Sequence, residues 1–102
     1  MAGLLLDVAT PLGFLTRCTR FHWERIILAK HPVLRGQEHE VRLALVEPDL
    51  VRRSRKDPAV LLFYQRGKGR WICAVVGRHG LLVTAYPTDA VKIGETVWTR
   101  SR

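Results

Sequence analysis

The spacing of apolar residues changes after Pro48, and this change limits the folds that the chain can adopt. Between Thr19 and Pro48, apolar residues recur every three or four positions, which is typical of helices with one buried face. After Pro48 they follow a period of two, which is typical of β-strands. The four strand candidates are LVRRS (50–54), VLLFYQ (60–65), RWICAVV (70–76) and LLVTAY (81–86). Every connector between them contains glycine or proline, so an antiparallel meander is predicted.

Two helices are predicted before the strands. Thr19 is a suitable N-cap for the first, over RFHWERIILAK (20–30), and Pro32 ends it because the residue before a proline disfavours helical geometry. The second helix fits GQEHEVRLALVEP (36–48). In the first helix, helical spacing puts three apolar side chains on the core face: Trp23, Ile26 and Ile27.

The two ends of the chain predict smaller elements. The apolar runs LLLDV (4–8) and FLTRC (14–18) flank Pro11 and Gly13, so a short N-terminal hairpin is expected. Residues 89–98, DAVKIGETVW, fit a final turn or an edge strand. The predicted fold class is therefore α+β, in one domain over residues 1–102. Two N-terminal helices would pack on one face of a roughly four-stranded antiparallel sheet.

The strand LLVTAY presents a hydroxyl and a phenol on one side of the predicted sheet. Alternation puts Thr84 and Tyr86 on one face, and Val83 and Ala85 on the other. One face must meet the helices, while the other can stay open and polar, as antiparallel sheets allow. We expect Val83 and Ala85 to point into the core, with Thr84 and Tyr86 on the open, ligand-facing side.

Positive charge is concentrated in the second half of the chain. Residues 1–51 hold six basic and six acidic side chains, whereas residues 52–102 hold eleven basic and three acidic ones, so the whole net charge of +8 lies there. Such one-sided charge favours a polyanion partner, and nucleic acid is the first candidate. The alternative is an arginine-rich surface of a thermophile-like chain, which also fits a sequence without asparagine.

Several classes of protein are disfavoured. No run approaches the roughly 18 apolar residues that cross a membrane. The N-terminal GLLLDVA has no positive segment before it and contains Asp7, so it does not read as a signal peptide, and a cytoplasmic protein is predicted. Cys18 and Cys73 lie far apart and are expected to be free thiols. The four histidines are scattered, so neither a metal site nor a cofactor is predicted.

A series of short motifs resembles the small nuclease domains of the barnase–EndoU–colicin–RelE type, in their bacterial and phage branch. The first part is Thr19, Trp23 and Ile26, followed by the pair His31–Pro32. EPDLV (47–51), a strand that carries a tyrosine, and TAY (84–86) follow in order. The resemblance covers about residues 16–98. It implies RNA cleavage without metal, or toxin-like activity. Members often carry a histidine where this chain has Arg25, which leaves open an RNA-binding module that does not cut.

Metal-free RNA cleavage needs a base, an acid and cations that stabilise the charged phosphorane. The candidates for proton transfer are His31 and His22. Arg25, Thr84 and Tyr86 complete the predicted catalytic group, and Arg53, Tyr64 and Arg66 are the predicted RNA-binding residues. Each of these side chains also has an ordinary structural role available, such as capping by His31 of the first helix's C-terminus.

Three functions remain open from the sequence. The first is a metal-independent endoribonuclease or toxin-like RNA-processing domain. The second is a non-catalytic RNA-binding module on the same scaffold. The third is a basic partner of an acidic antitoxin-like or immunity protein, in which the charge of +8 serves an acidic protein rather than RNA.

Overall fold

A computed structural model describes residues 3–101, and it consists mostly of β-strands. An antiparallel hairpin comes first, followed by two short helical segments and a five-stranded antiparallel sheet in the order β6-β5-β4-β3-β7. The strands are β1 (Leu4–Ala9), β2 (Leu15–Thr19), β3 (Leu50–Arg53), β4 (Leu61–Arg66), β5 (Trp71–Val76), β6 (Leu82–Thr88) and β7 (Thr96–Thr99). Neither helical segment within residues 3–101 has the length and apolar content that a membrane-spanning helix requires.

The predicted fold class, two N-terminal helices on a roughly four-stranded sheet, is wrong. The predicted hairpin is present as β1 and β2, but it is a separate two-stranded sheet. The main sheet has a fifth strand, because Thr96–Thr99 pairs with β3. It is the edge strand that was one of the two alternatives predicted for residues 89–98. Its partner lies more than 40 positions earlier and not in a neighbouring hairpin, which the sequence pattern does not reveal. The helical content is correspondingly small.

The first helical segment, residues 20–30, departs from a regular α-helix. Its ends, Arg20–His22 and Leu28–Lys30, are α-helical, and Trp23–Ile27 between them is π-helical. Thr19 is the N-cap as predicted, and its Oγ1 accepts a hydrogen bond of 3.0 Å from the backbone N–H of His22. The wider π-turn rotates the buried face. Trp23 and Ile27 are therefore buried as predicted, whereas Ile26 is 48% exposed.

The second helix, Glu38–Val46, packs its buried side against the sheet and the hairpin. Val41, Ala44 and Leu45 are its buried residues, and their spacing of three and four places them on one face. The helix contacts β4, β5 and β1. The sheet face that meets the helices is called the inner face. One row of fully buried side chains crosses it from β3 to β6: Val51, Phe63, Ala74 and Ala85.

The opposite face, called the outer face, is partly covered, although the sequence predicts an open one. Because β6 and β7 lie at opposite edges, residues 89–95 cross this face. The backbone N–H of Lys92 donates to the Tyr64 hydroxyl at 3.1 Å, and Arg52 Nη1 donates to the Lys92 carbonyl at 3.0 Å. Val91 packs with Tyr64 and Cys73 in a second apolar cluster. The crossing segment therefore forms a roof over part of the sheet.

Gly94 allows this segment to pass close to β3. A Cβ atom at this position would lie 2.6 Å from the Arg53 carbonyl oxygen, which is closer than side chains approach backbone oxygens. The approach brings Glu95 next to β3, where its carboxylate forms an ion pair of 3.0 Å with Arg53 Nε. Glycine is therefore required where the roof meets the edge of the sheet.

Cys18 and Cys73 are free, buried thiols, as the sequence predicts. Burial raises the pKa of each thiol from 9.0 to about 11. A raised pKa in the folded state stabilises the protein below the unfolded pKa, and this contribution is lost as the pH rises from about 9 to about 11. We expect unfolding in urea at about pH 10 to require about 1.4 kcal/mol less per thiol than at about pH 8.

A Cys18→Ala/Cys73→Ala variant is the control for this alkaline effect. Its starting stability will be lower, because both changes leave small cavities. Between about pH 8 and about pH 10, its free energy of unfolding should fall by less than that of the unchanged protein. Equal losses in the two proteins would show that the thiols do not cause the pH dependence.

Candidate functional site

Strand β6 places Thr84 and Tyr86 on the outer face. Ala85, between them, is fully buried on the inner face, as predicted. Val83 is also predicted in the core but is 45% exposed, because a β-bulge shifts the register where β5 pairs with this part of β6. Tyr86 lies opposite Cys73 on β5, and Thr84 lies opposite Val75. The two hydroxyl groups therefore belong to neighbouring rows of one sheet face.

Thr84 and Tyr86 line a cavity of about 330 Å³, called here the outer pocket. Its floor is apolar and is formed mainly by Val60, Leu62 and Val75. Three cationic side chains stand around it: Arg55, Lys56 and Lys92. All three are exposed. Within the described part of the chain the lining contains no carboxylate, so the outer pocket combines hydroxyl groups with uncompensated positive charge.

Unpaired polar atoms are concentrated on this face. Five buried side-chain nitrogen or oxygen atoms within residues 3–101 have no hydrogen-bond partner, and three of them belong to the outer face: Arg52 Nε, Thr84 Oγ1 and Tyr86 Oη. Each such atom costs about 1–3 kcal/mol in lost hydration, so a native protein rarely keeps several together without a partner. Arg52 lies opposite Leu62, which contributes to the pocket floor. An anion with several acceptor oxygens matches this arrangement.

The ring of Tyr86 contacts two further groups. The His31 ring centre lies 5.8 Å from that of Tyr86, and Lys92 Nζ lies 5.7 Å from the Tyr86 ring centre. Burial, and next the neighbouring Cys73 thiol, raise the pKa of the Tyr86 phenol far above its usual range. The phenol therefore stays protonated at neutral pH. It can donate a hydrogen bond to an anion and cannot act as a base.

Among the predicted catalytic residues, the structure groups His31, Thr84 and Tyr86 and separates the other two. His22 Nε2 lies 2.8 Å from the carbonyl oxygen of Val83, so its imidazole is held at the exposed edge of β6. Arg25 projects from the first helical segment, with its guanidinium carbon 5.7 Å from the ring centre of Phe21. Neither His22 nor Arg25 lines the outer pocket.

The predicted RNA-binding residues all have contacts within the protein. Arg53 pairs with Glu95 and also donates to the Pro58 carbonyl at 2.9 Å. Tyr64 is fully buried, and its hydroxyl accepts the bond from Lys92 that fixes the crossing segment. Arg66 is exposed, and its guanidinium carbon lies 5.1 Å from the ring centre of Trp71. Within the described residues, the side chain of Arg66 forms no ion pair with a carboxylate, unlike that of Arg53.

Four cationic residues at the outer pocket were not among the predicted site residues. Arg52, Arg55 and Lys56 belong to the basic run RRSRK (52–56), whose alternation along β3 directs Arg52 and not Arg53 to the outer face. That signal was available from the sequence. Lys92 gave no such signal, because only the crossing between opposite edges of the sheet brings it to the pocket.

The remaining chemistry of the chain adds no second centre of this kind. Within residues 3–101, no group of three or more His, Cys, Asp or Glu side chains is placed to hold a metal ion. Comparison of the chain with protein-family models, curated proteins and solved structures finds no match. The resemblance to barnase–EndoU–colicin–RelE nuclease domains therefore stays a prediction.

Proposed function

We propose that this protein binds RNA and that the outer pocket holds a backbone phosphate. The observation that supports the proposal is the cluster of unpaired, buried polar atoms on Arg52, Thr84 and Tyr86 beside the cations of the pocket. A phosphate oxygen accepts hydrogen bonds from hydroxyl and guanidinium groups, and charge-assisted bonds of this type are the strong ones. Arg52 Nε and Thr84 Oγ1 would gain a partner, and Tyr86 Oη, whose polar neighbours are the weakly accepting Cys73 thiol and the Tyr64 hydroxyl, would gain a stronger acceptor.

Access to the pocket needs only side-chain motion. Lys92 and Ile93 form part of its wall and are exposed, Ile93 by 78%. Exposed side chains change rotamer on the picosecond to nanosecond scale. A phosphate could therefore reach Thr84 Oγ1 and Tyr86 Oη while the backbone of the crossing segment stays bound to Tyr64 and Arg52.

The distribution of charge supports a polymer rather than a single small anion. The net charge of +8 extends well beyond the pocket, and all of it belongs to residues 52–102. Cations along a phosphate backbone release counterions and add affinity at each contact. The predicted nuclease resemblance favours RNA over DNA. A cytoplasmic location, where RNA is available, belongs to the same proposal.

Cleavage of the bound RNA is a second candidate function, favoured by the contact between His31 and Tyr86. Transesterification would require a base for the 2′-hydroxyl proton and a proton donor for the leaving 5′ oxygen. The His31 imidazole lies beside the ring of Tyr86, which lines the pocket, and Arg52 would stabilise charge on the phosphate. Cleavage of RNA in EDTA that is lost in His31→Ala would support this candidate.

Two matched threonine substitutions test the binding proposal. Thr84 and Thr16 each hold a buried hydroxyl without a partner, but only Thr84 lines the outer pocket. Valine has nearly the same shape, so both Thr84→Val and Thr16→Val should raise the free energy of unfolding by about 1 kcal/mol. Only Thr84→Val should weaken binding of a labelled single-stranded RNA, by about tenfold, because it removes a bond to a charged group.

Fluorescence anisotropy gives the RNA affinity, and unfolding in urea gives the stability. If Thr84→Val stabilises the protein and leaves RNA affinity unchanged, the hydroxyl does not contact phosphate. If both variants weaken RNA binding equally, the outer pocket is not the site.

A further inference from the structure

A second cavity, on the other side of β6, differs in chemistry from the outer pocket. It encloses about 510 Å³ between the hairpin, the start of the first helical segment and the start of β6. Arg17 on β2 forms an isolated parallel bridge with Leu81, and both residues line the cavity. We call this cavity the apolar groove. Its lining is mainly apolar and includes Leu4, Cys18, Leu81 and Val83.

The apolar side chains of this groove are unusually exposed. Leu4, Leu81 and Val83 are 48%, 52% and 45% exposed, and they account for three of the eight large hydrophobic side chains that are exposed within residues 3–101. Exposed apolar residues that are scattered singly need no explanation, but a contiguous patch around a concave site marks an interaction surface. His22, bound to the Val83 carbonyl, keeps the wall of the groove in place.

Positive charge borders this apolar surface. Arg17 lines the groove, and the exposed Arg20 directly follows Thr19, another lining residue. The hairpin register sets Asp7 opposite Arg17. However, the two ion pairs of the described chain are Arg53–Glu95 and Arg100–Asp49, so these arginines form none. The rim of the groove is therefore suited to carboxylates.

We propose that the apolar groove binds an acidic segment of a partner protein, with apolar side chains of that segment inserted between β2 and β6. Leucine, isoleucine or phenylalanine side chains would cover Leu4, Leu81 and Val83, and flanking carboxylates would meet the arginines. Buried apolar anchors inside a polar rim are the usual anatomy of a specific protein interface.

Two other occupants fit less well. RNA bases need aromatic platforms for stacking, and the lining of the groove includes no aromatic ring other than the imidazole of His22. A second copy of this chain would bring one molecule of net charge +8 against another, which opposes association. An acidic partner would be attracted by the same charge, and this attraction would also raise the rate of association.

Selection from a library of random dodecapeptides displayed on phage tests the proposal. Peptides enriched on the unchanged protein should combine Asp or Glu with Leu, Ile or Phe. A synthetic, labelled version of the most enriched peptide should then bind Val83→Glu about tenfold or more weakly than the unchanged protein, because the change puts a negative charge in the groove. Arg17→Glu should weaken binding as well.

Val33→Glu is the matched control. Val33 is 55% exposed, similar to Val83, but lies outside the groove, so this variant should bind the peptide as the unchanged protein does. Leu4→Glu replaces Val83→Glu if the latter does not fold by circular dichroism. Val83→Glu and Val33→Glu change the net charge equally and leave the outer pocket intact, so the two should have the same RNA affinity. Enriched peptides without acidic residues, equal binding by Val83→Glu and Val33→Glu, or dimers in sedimentation that Val83→Glu dissociates would each overturn the proposal.

Discussion

Replacing Trp23 with alanine is expected to lower the free energy of unfolding by about 3–5 kcal/mol, the usual cost of deleting a buried tryptophan. Trp23 is 2% exposed and belongs to the main core between the first helical segment and the inner face of the sheet. A small domain is stable by only about 5–15 kcal/mol in total, so the loss should be visible as a large fall in melting temperature and in the urea midpoint.

Phe21→Ala is the control for this prediction. Phe21 lies in the same helical segment, two residues earlier, and is 62% exposed. Its removal deletes an aromatic ring without opening a cavity, so stability should change by less than about 0.5 kcal/mol. Similar losses in the two variants would mean that the helical segment, and not the buried indole, determines the effect.

Replacing the two lysines of the outer pocket is expected to have the second large effect, a loss of RNA affinity. The chain has four lysines, and two of them, Lys56 and Lys92, line the outer pocket. If each side chain contacts phosphate with about 1.5–3 kcal/mol, Lys56→Ala/Lys92→Ala should weaken RNA binding by at least about 100-fold. The slope of log affinity against log salt should also become shallower by about 1.4, which is about 0.7 for each lost contact to a single strand.

The other two lysines form a control with the same change of net charge. Lys30 lies at the end of the first helical segment and Lys68 in the turn between β4 and β5, and neither lines the pocket. Lys30→Ala/Lys68→Ala should leave most of the affinity and the salt slope in place. If the two double variants bind RNA equally, the attraction comes from the charge of the whole molecule and the outer pocket has no special part.

Local sequence patterns predicted the elements that depend on neighbours in the chain. Alternation of apolar residues located β4, β5 and β6 closely, because each pairs with a strand that is its neighbour in the sequence. The hydroxyl of Thr19 identified the start of the first helical segment, since an N-cap bond closes within three residues. The burial of Trp23 and Ala85 followed from the same short-range periodicity.

The sequence predictions failed where one inserted residue, or one partner distant in the sequence, determines which side chains are buried or paired. A π-helical stretch exposed Ile26, and a bulge exposed Val83, because each shifts the register by a residue without altering composition. An edge strand near residue 98 was a predicted alternative, but its pairing with β3, which fixes the position of Lys92, was not predicted. For the same reason the predicted site included Thr84 and Tyr86 but not Lys92, which lines the outer pocket with them. Arg52 was missed although its alternation along β3 was readable from the sequence.

The crossing of residues 89–95 between opposite edges also has a consequence for folding. Hairpin pairings such as β4–β5 and β5–β6 close short loops, whereas Arg52 meets its partner Lys92 across 40 positions of sequence. Long loops are closed late, because their entropy is lost before distant contacts compensate for it. We therefore expect β4, β5 and β6 to pair early and the roof to form last. A nascent or partly folded chain would then have its sheet but not its finished anion pocket, so that binding competence develops only with the last folding step.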